Sequence, residues 1–171
     1  MNPIKIIVPL WKLIRGNNLL IICLIFLLVR HTIVLPVLSF SASASELGNG
    51  LFLLLMLATV LVAAGGNIIN DYFDMAIDAI NKPGQKVLGM QVHKKTGILL
   101  YSIFTIAGIG LAGFVSYKIN TYRPFIIFPA SALILFLYSY SYKSVMLAGN
   151  ILIAILSGIT VALPVLFDNG A

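Results

Sequence analysis

Five side chains able to ligate a cation fall within one short tract, Asn67-Ile-Ile-Asn70-Asp71-Tyr72-Phe73-Asp74-Met75-Ala76-Ile77-Asp78. Asn67, Asp71, Asp74 and Asp78 step by 4, 3 and 4 residues, so a helix places them on a single face. The whole chain has five acidic residues, and three of them stand here, after the apolar run 51–64 and the pair Gly65-Gly66. Carboxylates so arranged repel one another, and a helix leaving a membrane is a costly place for them unless a cation is present. Mg²⁺ suits such a stripe. It takes oxygen ligands, retains water, and usually arrives with a substrate phosphate rather than in a closed protein cage. The chemistry these residue types support is metal-assisted handling of a polyphosphate at a membrane surface. The plainer alternative, a solvated helix end with three unrelated acids, leaves the clustering unexplained.

The elements that must hold this stripe are membrane spans. Hydrophobic residues make up 60% of the 171 and charged residues 9%, with a mean hydropathy of +1.06. That composition excludes an ordinary soluble globular chain. The net charge of +6 does not mark a nucleic-acid surface, because the basic residues stand singly between apolar runs and form no basic–aromatic patch. No nucleic-acid partner is expected. Cys23 is the only cysteine and admits no intrachain disulfide. The run 19–29, followed later by Ser41-Ala42-Ser43-Ala44-Ser45, has some features of a signal peptide. Arg30, His31 and Pro36 intervene, so a retained first membrane helix is expected instead.

The expected fold is all-α: a polytopic membrane helix bundle of about five transmembrane helices, near residues 18–38, 51–70, 97–117, 124–142 and 145–167. Residues 1–17, with Lys5, Trp11, Lys12 and Arg15, read as an interfacial approach to the membrane. Arg30 interrupts the first span and either snorkels outward or faces other helices; the sequence leaves both open. Pro83-Gly84 should end the second helix within the polar connection 79–96. With the N-terminus in the cytoplasm, eight basic residues fall on that side, against Arg30, Lys118 and Arg123 on the other. The positive-inside rule then puts the motif loop at the cytoplasmic face of the inner or plasma membrane. His31 and His93 have no metal-ligand spacing with cysteine or acidic partners.

The pattern Asn70-Asp71-x-x-Asp74-x-x-x-Asp78, followed by Asn81-Lys82-Pro83 and Lys86, resembles the first aspartate-rich motif of the UbiA-type membrane prenyltransferases. The tract is most similar to the branch acting on geranylgeranylglycerol phosphate. The resemblance implies transfer of a prenyl group from a prenyl diphosphate donor to a lipid or aromatic acceptor, among membrane lipids and with Mg²⁺ as cofactor. It implies Asp71, Asp74 and Asp78 as the catalytic, metal-holding set, with Asn67 and Asn70 ligating metal or orienting a phosphate. Lys82 and Lys86 would meet the diphosphate. Where the family commonly has Arg followed by Pro, this chain has Lys86-Val87, which keeps the charge and loses the bidentate fork. Both lysines also read as simple loop charge. Tyr138 and Lys143 are similar to a family pattern of tyrosine then lysine at the inner end of the fourth span, and equally to an aromatic belt with a snorkelling anchor. Arg15 and Asn18 match the family's N-terminal Arg/Asn feature more weakly.

The family also has a second aspartate-rich motif in a later cytoplasmic loop, and about nine spans. This sequence has five apolar spans and no carboxylate cluster after Asp78. The expectation is therefore a single membrane domain, 1–171, forming the N-terminal part of such a bundle and catalytically inert by itself. Two other functions were weighed. A Mg²⁺-dependent lipid phosphotransferase needs Asp-Gly and Ala-Arg elements that are missing around Asp71 to Asp78. A cation-coupled transporter subunit would carry its acids nearer mid-span than the membrane edge.

Overall fold

In hydrocarbon, backbone polar groups must be satisfied within the segment itself, which makes the apolar runs helical. The computed structural model describes residues 4–81, 87–141 and 146–168. In chain order they form α1 (Ile4–Leu13), α2 (Gly16–Val29), a π turn (Arg30–Val34), α3 (Leu35–Phe40), α4 (Asn49–Asn81) and α5 (Lys94–Lys118). A 3₁₀ turn (Arg123–Ile126), α6 (Ile127–Tyr140) and α7 (Met146–Asp168) follow. Among the described residues, five helical segments are long and apolar enough to cross a membrane: Gly16–Phe40, Asn49–Asn81, Lys94–Lys118, Arg123–Tyr140 and Gly149–Asp168. The expected all-α membrane bundle is the fold.

The second span differs from its expected extent of 51–70. It is one helix of 33 residues that continues through the aspartate tract to Asn81. At 1.5 Å per residue it measures about 50 Å, against about 30 Å of hydrocarbon. The tract therefore rides on a helical overhang, as its spacing required. The expected break at Pro83-Gly84 lies outside the described residues.

α4 is also the packing centre, with α2, α5 and α6 against it. Its closest approach is to α5. A β-carbon on Gly108 would stand 2.8 Å from the Ala58 carbonyl oxygen, so only glycine permits this crossing. Small residues at such crossings gain the dispersion contacts that hold helices together in lipid. Beneath, Phe26, Leu55, Val62, Phe128 and Phe167 are buried in one cluster. A smaller cluster of Leu13, Ile68 and Leu88 ties α1 and the segment before α5 to the far end of α4.

Arg30 faces the bundle and is 4% exposed. The Leu35 N–H reaches five residues back to the Arg30 carbonyl, and the extra residue in this turn re-aims the side chain inward. Its Nη2 donates to the Leu47 carbonyl (2.9 Å) and to Asn49 Oδ1 (3.2 Å), and its guanidinium lies 4.4 Å from the Phe52 ring centroid. Nη1 stands 3.6 Å from Asp168 Oδ2, an ion pair without a hydrogen bond. Asp168 in turn accepts from Ser45 Oγ (2.7 and 2.9 Å) and from the Leu47 N–H (3.1 Å). This network pins the π turn to the last turn of α7, at the end of the bundle opposite the aspartates.

Arg30→Leu should destabilise the chain by about 3–5 kcal/mol, because it leaves Asp168 buried without a counter-charge. The double variant Arg30→Leu, Asp168→Leu should recover most of that loss. Unfolding of helicity in micelles measures both, and a double variant that loses the sum of the two singles would show that the pair is uncoupled.

Candidate functional site

The overhang of α4 presents Asn67, Asp71, Asp74 and Asp78 along one face, as their spacing requires. Their neighbours divide the roles. Asn70 is buried and donates from Nδ2 to Asp74 Oδ2 at 3.0 Å, which fixes that carboxylate's direction. Asp71 accepts from Arg15 Nη2 at 3.1 Å. Asn67 donates from Nδ2 to the Ile14 carbonyl at 2.8 Å, so its amide nitrogen is committed to the chain between α1 and α2. Asp71 and Asp78 line one small cleft with Met75, Val87 and Leu88.

The elbow between α1 and α2 is built to reach this face. Arg15 is in the left-handed region (φ 52°, ψ 55°), a conformation that costs free energy and persists only where surroundings over-determine it. Here they do. The Trp11 ring lies over Gly16 so closely that a β-carbon there would overlap it, and Leu13 is fully buried beside Ile68 and Leu88. The Asn67–Ile14 bond adds a direct tie to α4.

Toward the core from Asn67, α2, α4, α6 and α7 line a half-open pocket of about 310 Å³. Asn18 and Asn67 stand on its wall, with Val62, Leu135, Phe128 and Leu163 among the apolar groups. Its deepest wall, Phe128 and Leu163, merges with the buried core. Tyr138 is half-buried on α6. It falls on the same helical stripe as Ser131 and Leu135, which both line the cavity, one turn nearer the overhang.

Among the described residues, no three His, Cys, Asp or Glu side chains converge on one point, so α4 offers no closed metal cage. The donor set still fits Mg²⁺, which needs only one or two carboxylates when phosphate and water complete its shell. Lys82, Lys86 and Lys143 lie outside the described residues. Sequence reasoning gave Arg15 only a weak family match and did not pair it with Asp71, 56 residues away. It also missed an aromatic group flanking the overhang. Phe73 meets Phe136 and Tyr140 edge-on at 5.7 and 5.5 Å, and those two rings stack at 6.4 Å. The i, i+4 spacing of Phe136 and Tyr140 was the available signal.

A digeranylgeranylglyceryl phosphate synthase of Methanobrevibacter smithii is 35% identical over 111 residues, covering 63% of this chain and 38% of that protein. The enzyme of the same name from Thermococcus gammatolerans is 37% identical, covering 64% and 38%. A solved structure, described as giving structural and mechanistic insights into the biosynthesis of digeranylgeranylglyceryl phosphate synthase in membranes, superposes with a TM-score of 0.73. It is 28% identical and covers 95% of this chain and 53% of the other. The chain thus spans well under two thirds of the relatives it matches. The family model for UbiA prenyltransferases matches residues 19–167, nearly the whole bundle just described, and the chain belongs to the UbiA prenyltransferase family.

Proposed function

We propose that this chain carries a Mg²⁺–diphosphate site of a membrane prenyltransferase that moves a prenyl group from an allylic diphosphate to a lipid acceptor. The observation that carries this reading is that Asn67, on the carboxylate stripe of α4, also lines an apolar pocket among the membrane-spanning helices. The names of the relatives favour a geranylgeranyl donor and geranylgeranylglycerol phosphate as acceptor. The charge count of the loops favours a cytoplasmic site in the inner or plasma membrane.

Each residue has a part in that scheme. Asp71, Asp74 and Asp78 hold the metal, which when bound neutralises the pyrophosphate as it leaves. Asn70 keeps Asp74 aimed, and Asn67 ties the α1–α2 elbow to the site. Lys82, Lys86 and Lys143 supply positive charge to the diphosphate. The apolar cavity receives the prenyl chain and keeps water from the allylic carbon once its C–O bond loosens. Tyr138, on the cavity stripe of α6, faces the cationic carbon with its ring. The acceptor hydroxyl then forms the new C–O bond as the bond to the diphosphate breaks, and its proton passes to the departing pyrophosphate.

In nanodiscs, the chain should bind geranylgeranyl diphosphate only with Mg²⁺. Asp71→Ala or Asp74→Ala should weaken that binding at least about tenfold, since each removes a charge-assisted contact. Undiminished binding in Asp74→Ala would remove the metal role. Lys86→Ala should weaken binding less, with part of its effect masked at high salt.

Orientation has its own test. In a Cys23→Ser background, a cysteine placed at His93 should react with a membrane-impermeant reagent from the cytoplasmic side only. Labelling from the outside alone would reverse the topology.

A further inference from the structure

We propose that the Arg15–Asp71 ion pair is a resting contact in which the guanidinium occupies the place of a metal. Loading of Mg²⁺ with a diphosphate then transfers Arg15 from Asp71 to a phosphate oxygen. The inference rests on the diphosphate reading of the stripe and adds an exchange of partners to it. Arg15 Nη2 and Asp71 Oδ1 are 3.1 Å apart, with side chains 44% and 26% exposed. A pair that water reaches from the Arg15 side is more separable than the fully buried pair at the other end of the bundle. A metal ion shared by Asp71 and Asp78 in their common cleft would need the carboxylate that Arg15 now holds. Two cations on one carboxylate repel, so the arrival of one loosens the other.

The elbow decides where the released guanidinium goes. Its backbone is fixed by the Trp11–Gly16 packing and the Asn67–Ile14 bond, so the side chain swings while its Cα stays beside the stripe. Asp71 engages only one edge of the guanidinium. The group's planar fork matches a phosphate in two-point geometry better than it matches one carboxylate oxygen. Arg15 thus neutralises Asp71 in the resting site and contributes to binding the diphosphate once the metal is in place.

The exchange has a signature of opposite signs, which loss of structure would not produce. In neutral-lipid nanodiscs, calorimetric titration with MgCl₂ alone should show Arg15→Gln binding Mg²⁺ about fivefold more tightly than the parent, because a competing charge is gone. Titration with pyrophosphate at saturating Mg²⁺ should show the same variant binding at least about tenfold more weakly, because a charged donor is gone. Arg15→Lys should hold Mg²⁺ about as the parent does and lose part of the pyrophosphate affinity. Trp11, the single tryptophan, sits on Gly16, so unchanged emission certifies the elbow in each variant.

In the parent itself, Mg²⁺ alone should speed phenylglyoxal modification of Arg15, read by mass spectrometry, and added pyrophosphate should slow it. Weaker or unchanged Mg²⁺ binding in Arg15→Gln, or modification that ignores Mg²⁺, overturns the exchange while leaving the diphosphate site standing. A parent that binds neither Mg²⁺ nor pyrophosphate overturns both.

Discussion

Charge that water cannot reach has to be paired, and in a chain that is 60% hydrophobic this constraint shapes both ends of the bundle. At one end, Arg30 and Asp168 are closed off with side chains 5% and 0% exposed, and backbone and hydroxyl groups complete their bonding. At the other, Arg15 meets Asp71 where the arginine is exposed and the carboxylate is partly so. The first pair is bound to its setting, since separating it would strand a charge in an apolar interior. The second can change partners, because water softens the cost of parting. The same residue types serve as a fixture in one place and as an exchangeable contact in the other, and burial makes the difference.

Between these ends runs α4, and its continuity lets packing and chemistry share one element. Its lower half meets α5 at Gly108 and joins the buried aromatic core, while its upper half carries the carboxylates beyond the apolar run. Side chains on a packed helix are placed more firmly than side chains on a loop. Asn70 adds local aim at Asp74, and Asn67 connects the same helix to the elbow.

Much of this was legible in the residues because the signals were local. The spacing of Asn67, Asp71, Asp74 and Asp78 is a helical period, and the five apolar runs are set apart by charge and punctuation, so the stripe and the spans could be read directly. What was not legible depended on partners distant in the chain. Arg30 could not be assigned because its counter-charge, Asp168, comes 138 residues later and its inward turn needs a π-type bond that no short pattern announces. Arg15 hid its role for a related reason: a left-handed backbone at arginine is against its propensity, and only Trp11, Gly16 and α4 together enforce it. Hydropathy marks only where the apolar part of the second span stops, near residue 70, while the helix continues to Asn81.

The unbroken course of α4 makes rotational phase a property under selection. Each residue advances the helix by about 100° and about 1.5 Å. One residue inserted between the Gly108 crossing and Asn67 would leave composition, hydropathy and span number essentially unchanged. It would also turn the whole stripe by about 100° relative to the core and to Arg15. Substitutions in that stretch act one side chain at a time, whereas a change of length there acts on the whole stripe. The distance from Ala58 to Asn67 is in this sense a gauge, and its residue count should be held more strictly than its residue identities.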